Sequence, residues 1–172
     1  MKVDARRMQN ASDDWLTPRE WIEALGPFDL DPCASSEQPW WTAREMLTKK
    51  DDGLAKKWKG LVWCNPPYSD TGSWARKMAE HGNGFLMVFA RTDTQWFHDW
   101  IWNRATSLFF PRGRITFLKP DGRRVGRAAA STVIAAYGER ASHRICDQAL
   151  ARQLPKPGFW MNISFHRDMV SG

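Results

Sequence analysis

The stretch Leu61-Val62-Trp63-Cys64-Asn65-Pro66-Pro67-Tyr68 joins an unbroken apolar run to a polar corner. A short apolar run without alternation reads as a strand buried on both faces, the kind found in parallel sheets covered by helices. The corner then lies at the carboxyl end of that strand, where open α/β sheets bind their ligands. A proline excludes the helical region for the residue before it, so Asn65 is held extended, and neither Pro66 nor Pro67 can donate a backbone hydrogen bond. The loop is therefore stiff and rich in acceptors. The Asn65 side-chain oxygen and the Pro66 carbonyl can together accept both hydrogens of a planar amino group, while Tyr68 offers a ring face. That combination suits the exocyclic amine of a base.

On either side of this corner the chain alternates helical and extended patterns. Thr17-Pro18-Arg19-Glu20 matches a capping box with proline at the first helical position, and with Gly26 as a stop it predicts a helix over 18–25. Strands are expected over 28–31, ended by Pro32, and over 45–47. After the corner come a helix over 73–80, with Trp74 and Met78 on one face, and a buried strand over 85–89. Asp93 or Thr94 can cap a helix whose apolar stripe is Trp96, Phe97, Trp100 and Ile101. Strands follow over 107–110, 115–118 and 132–136, the last two pairing as an antiparallel hairpin across a long loop. A helix over 142–154 and an irregular tail around Pro155 and Pro157 finish the chain. Residues 32–64 hold too little chain for two full parallel crossovers, so one helical crossover is expected to be replaced by a loop.

At 172 residues the chain reads as one domain, with 1–13 a loose polar tail and 139–172 a carboxyl-terminal extension. There is no room for a large separate recognition domain, so a macromolecular partner must be read by loops of the main fold. The formal charge of +6 and the pI near 9.5 favour a polyanion. Eleven tryptophans spread from Trp15 to Trp160 belong mostly to the core, with one or two left to stack on a base. Cys33, Cys64 and Cys146 are odd in number and widely spaced, which argues against a disulfide framework or a metal site. No apolar stretch reaches membrane-spanning length and the amino terminus lacks a signal-peptide core, so a reduced cytosolic protein is expected.

Asn65-Pro66-Pro67-Tyr68 after a strand resembles the catalytic loop of S-adenosylmethionine-dependent amino-methyltransferases. Further stretches occur in the order seen in the small phage-type DNA N6-adenine methyltransferases: Trp15-Leu16-Thr17-Pro18, Phe28-Asp29-Leu30-Asp31-Pro32-Cys33-Ala34-Ser35, Asp52-Gly53-Leu54, Arg91-Thr92-Asp93-Thr94-Gln95-Trp96 and Gly113-Arg114-Ile115-Thr116-Phe117. The resemblance spans roughly Asp14 to Gly138. It implies an α/β, Rossmann-like class I methyltransferase with an abbreviated, mostly parallel sheet and an antiparallel hairpin at one end. It also implies S-adenosylmethionine as donor, S-adenosylhomocysteine as product, double-stranded DNA as partner and, for a phage-encoded enzyme, the host cytoplasm as location.

The resemblance makes Asp31-Pro32-Cys33-Ala34-Ser35 a cofactor loop, although Ser35 and Ser36 stand where larger relatives carry glycine. The charge argument survives that change, because an ionised Asp31 in a partly desolvated pocket attracts the ammonium and sulfonium of the donor. Asp29 either assists Asp31 or caps a neighbouring backbone group. Thr17 and Pro18 lie, by the family pattern, beside the methionine carboxylate; a simple helix cap explains the same letters. Asp52 resembles an acidic contact to the adenosine part, and an ordinary Asp-Gly turn is the alternative.

For the chemistry, Asn65 and the Pro66 carbonyl hold the amine hydrogens and stabilise positive charge developing on nitrogen. A base inside a duplex must first rotate out, and Tyr68 would stack on it. His98, in a tryptophan-rich helix, reads as structural. Arg91 and Asp93 fall on the same sheet edge, where Arg91 can shape the target pocket or grip a phosphate. Arg112, Arg114, Lys119, Arg123, Arg124 and Arg127 form a basic run near that edge, read as a DNA-contacting loop. RNA adenine or protein glutamine as substrate, and a non-catalytic DNA-binding protein on the same fold, are the competing readings.

Overall fold

The computed structural model describes residues 15–119, 123–124 and 130–164. Its centre is a seven-stranded sheet formed by β1 (Leu30–Asp31), β2 (Glu45–Met46), β3 (Val62–Cys64), β4 (Gly84–Phe89), β5 (Ser107–Pro111), β6 (Thr132–Tyr137) and β7 (Gly158–Asn162). The spatial order is β2-β1-β3-β4-β6-β5-β7. Pairs β1/β2, β1/β3 and β3/β4 are parallel, whereas β4/β6, β5/β6 and β5/β7 are antiparallel. The carboxyl ends of β1, β3, β4 and β5 consequently share one edge, and β6 starts from it.

Apolar continuity in the central strands is explained by cover on both sides. Leu61, Trp63, Phe85, Met87, Ile134 and Ala136 pack against α1 (Arg19–Leu25) and α4 (Glu139–Leu150). The alternating partners Val62, Cys64, Leu86, Val88, Val133 and Ala135 face α2 (Thr71–His81) and α3 (Gln95–Phe97), which runs on into a π turn, His98–Trp102. Trp21, Trp63, Trp58 and Trp74 are buried in these layers, so the tryptophans do serve mainly as core, with Trp41 standing out at 78% exposure.

Between β1 and β3 the expected shortening is real: the described chain there holds turns and the two-residue β2 but no helix. Two close approaches lock this segment. Asp29 donates its N–H to the Leu61 carbonyl (2.8 Å) and accepts the Leu61 N–H on its carboxylate (2.7 Å), which substitutes for a strand ladder. A Cβ at Gly53 would stand 1.9 Å from the Pro32 carbonyl oxygen, so only glycine lets the Asp52-Gly53 turn seat against the loop after β1.

Four local expectations are corrected. The capping box does not form: α1 starts one residue later than Thr17 requires, its N-cap is Pro18, and no side chain caps it. Asp93 and Thr94 do not cap α3 by side chain either; the Thr94 hydroxyl donates to the Arg91 carbonyl instead (2.7 Å). Residues 115–118 make no strand and no hairpin with β6. Only Leu118 bridges, to Leu16 and to Arg124, while Ile115 and Phe117 are drawn into the core, and β6 pairs with β4 and β5. The stretch read as an irregular tail supplies β7 beyond Pro157, antiparallel to β5, because Leu108 and Phe109 needed an edge partner. The amino-terminal tail lies outside the described residues.

Candidate active site

Asn65 follows β3 directly and sits at the shared edge. Its amide Nδ2 donates to the Trp15 carbonyl at 2.8 Å. That bond fixes which way the amide faces, and its Oδ1 is buried with no partner. A buried unsatisfied acceptor costs about 1–3 kcal/mol in the free protein. The next residues keep the stiffness read from the prolines: Pro67 is extended (φ −55°, ψ 134°) and Tyr68–Asp70 makes a 3-10 turn into α2.

Tyr68 differs from expectation in one respect. Its ring stacks on Phe89, with centroids 4.0 Å apart and planes 7° apart, so one of its faces is already covered from within the protein. Trp15 meets it edge-on at 6.1 Å. The phenol oxygen is buried without a partner, and burial holds its proton well above the usual range.

Asp31, at the end of β1, is 4% exposed. One carboxylate oxygen accepts from the Thr42 hydroxyl (2.5 Å) and the other from the Cys33 N–H (3.1 Å). Burial outweighs both bonds and pushes its pKa up to about 6. The Cys33 and Cys64 sulfurs stand 3.6 Å apart at the ends of adjacent strands, and burial raises both thiols, so neither is a ready nucleophile.

Asn65, Asp31 and Cys33 open on one cleft, whereas Tyr68 and Cys64 are not among the residues that line it. Among the expected residues it is lined by Thr17, Asp31, Cys33, Ala34, Ser35, Asn65 and Pro67; Trp15, Leu16, Gln38 and Thr42 complete it. Thr17, released from capping, is buried at its wall. Pro66 and Pro32 are buried behind it. Pro18 faces a neighbouring hollow with Trp21, Leu118 and Arg124. Asp29 takes the second of its two readings, capping the Leu61 N–H. Asp52 occupies an exposed turn with φ +52° and receives the Ala55 N–H on its carboxylate, 3.3 Å. Its neighbour Gly53 packs against the Pro32 carbonyl in the loop after β1.

Arg91 follows β4 and Arg112 follows β5, both exposed on the site edge. Arg114, Lys119, Arg123 and Arg124 are exposed on the same connection; Arg127 lies outside the described residues. The Leu16 and Leu118 backbones exchange hydrogen bonds of 2.8 and 3.1 Å, so this connection is fastened to the residue next to Trp15. Among the described residues no His, Cys, Asp or Glu cluster is arranged to hold a metal, and no helix is long and apolar enough to cross a membrane.

A parallel edge with a buried carboxylate after the first strand, and an amide acceptor on a proline-locked corner after the third, defines a Rossmann-like methyltransferase site. Over residues 4–143 the chain matches the family model of the DNA N-6-adenine-methyltransferases (Dam), and it belongs to that family. It is thus an S-adenosylmethionine-dependent, adenine-specific DNA methyltransferase, which selects among the substrates left open by the sequence. No curated protein and no solved structure matches the chain significantly.

Proposed function

We propose that this cleft methylates the N6 of an adenine turned out of duplex DNA, and that the buried, unpaired Oδ1 of Asn65 is the group that receives the amine. The observation that carries the assignment is the pairing of that orphan acceptor with an amide nitrogen tied to Trp15. The amine lone pair of adenine is delocalised into the ring. Two fixed acceptors, Asn65 Oδ1 and the Pro66 carbonyl, draw its hydrogens out of conjugation and stabilise the positive charge that grows on nitrogen. S-adenosylmethionine supplies an electrophilic methyl group when bound. The methylated ammonium is acidic enough to lose its proton to water, so no general base is required.

The residues present fit such a donor. Asp31 offers a carboxylate for its cationic atoms, Cys33, Ala34 and Ser35 line the wall, and Thr17 faces them from the amino-terminal segment. Asp52, beside the cofactor loop, is assigned the ribose hydroxyls on the family resemblance. The face of Tyr68 opposite Phe89 is assigned to the flipped base on the family resemblance. Labelled methyl transfer to duplex DNA, RNA and protein, followed by nucleoside analysis, tests the proposal: N6-methyladenine should form in DNA, and label recovered only in RNA or protein would refute it. A DNA substrate and free thiols fit work in the cytoplasm.

Arg91, Arg112, Arg114, Lys119, Arg123, Arg124 and Arg127 are proposed to grip the DNA backbone around the flipped base. With about five phosphates neutralised, log affinity should fall against log salt with a slope of about −4 to −5. Replacing Arg112 and Lys119 by alanine should make the slope shallower by about two, as read by fluorescence titration. An unchanged slope would remove the loop from the interface.

A further inference from the structure

The cleft contains one unassigned group whose chemistry is complementary to that of Asn65. Gln38 lines the same cavity, and its Nε2 is buried without a hydrogen-bond partner. The segment that carries it is pinned at both ends: the Gln38 N–H donates to the Ser35 carbonyl (3.2 Å), and Thr42 is bonded to Asp31 (2.5 Å). An amide NH2 held out of water with no acceptor is as incomplete as the Asn65 oxygen. One waits for a donor, the other for an acceptor.

Resting on the methyltransferase reading above, we propose that Gln38 is the donor that receives the carboxylate of the amino-acid end of the methyl donor. The α-ammonium and α-carboxylate of that end are attached to one carbon, so whatever holds the ammonium fixes the carboxylate close by. Asp31 is the carboxylate available to the ammonium. Among the described residues no lysine, arginine or histidine lines the cleft, so the donors on hand there are neutral. Gln38 brings an unpaired one, from the loop that Thr42 fastens to Asp31. Thr17 and Ser35 line the same cleft and can each donate an O–H to that anion as well; Gln38 is singled out because its NH2 is buried without a partner. The arrangement explains why a tract without helix or strand, residues 32–44, is nevertheless fixed in place: it carries half of a zwitterion site.

The test compares two ligands by calorimetry, S-adenosylhomocysteine and its decarboxylated analogue, which keeps the ammonium and lacks the carboxylate. Gln38→Leu should weaken S-adenosylhomocysteine about ten- to a hundredfold, the range for a hydrogen bond to a charged group. Binding of the decarboxylated analogue should change less than about twofold. Gln38→Glu, which sets like charges together, should weaken the first ligand at least as much and again spare the second. Loss of both ligands to the same degree in folded variants, or loss of neither, would overturn the assignment. Failure of the unmodified protein to bind either ligand would instead refute the cofactor site itself, and Gln38's role with it.

Discussion

Asn65→Ala lowers methyl transfer to duplex DNA by at least about a hundred- to a thousandfold, the cost of removing one preorganised dipole aimed at a developing charge. Its affinity for S-adenosylhomocysteine should stay within about twofold, because the proposed partner of the amide is the amine and not the donor's charged groups. The split follows from the two ends of the side chain. Nδ2 is spent on the Trp15 carbonyl, and Oδ1 has no partner. Asn65→Asp sharpens the test. It keeps an oxygen toward the amine but places its second oxygen against the Trp15 carbonyl, acceptor against acceptor, so the carboxylate must turn away or take up a proton. Single-turnover rates at neutral pH should therefore fall in this variant too, with cofactor affinity undiminished. Wild-type rates in either variant would remove Asn65 from the chemistry.

The Asn65 corner was readable because its chemistry is local. Two prolines dictate the backbone, the apolar run dictates the strand, and the strand end dictates the address. The same holds for Asp31, whose place at a strand end needed only the segment Phe28 to Pro32. Asp29 was ambiguous since alternation along a strand presumes that the strand has begun; the chain is still irregular there, and the carboxylate turns to Leu61. The capping box failed for a related reason. Its letters fit, but burial of Thr17 at the cleft wall outweighed a cap worth about 1 kcal/mol.

What stayed hidden depended on contacts distant in sequence. Trp15 was legible only as part of a resemblance, and nothing local says that its carbonyl lies 2.8 Å from an amide fifty residues on. Gln38 and Thr42 belong to a tract with no periodicity, and only the folded chain places them on the same cleft as Asp31. Strand β7 was missed because Pro155 and Pro157 read as breakers, although a proline just before an edge strand removes no ladder bond. The fastening of Leu16 to Leu118 has the most functional weight of these. It joins the basic connection after β5 to the residue beside Trp15, whose carbonyl holds the amide of Asn65.

Asp31 should make donor binding strongly pH-dependent. With its pKa raised to about 6 by burial, the free protein carries a growing fraction of neutral Asp31 as pH falls below that point. The ligand's α-ammonium favours the ionised form, so S-adenosylhomocysteine affinity should be flat above about pH 7 and fall toward tenfold per unit below about pH 6. Stability of the ligand-free protein moves in the opposite sense. The native state binds this proton more tightly than the unfolded chain, whose carboxyl titrates near pH 4, so the ionised carboxylate costs about 3 kcal/mol at neutral pH, and that cost is relieved as pH falls from about 6 to 4. Two signs from one group are hard to imitate. Asp31→Asn should flatten the affinity profile at a level at least about thirtyfold weaker, from the loss of a charge-assisted contact, while the ligand-free variant melts no lower than the wild type at pH 7. Calorimetric titrations and thermal melts between pH 5 and 8 check both. An affinity profile that stays level through pH 6 in the unmodified protein would mean that Asp31 does not meet the cation, and the polarity assigned to the cleft would have to be reversed.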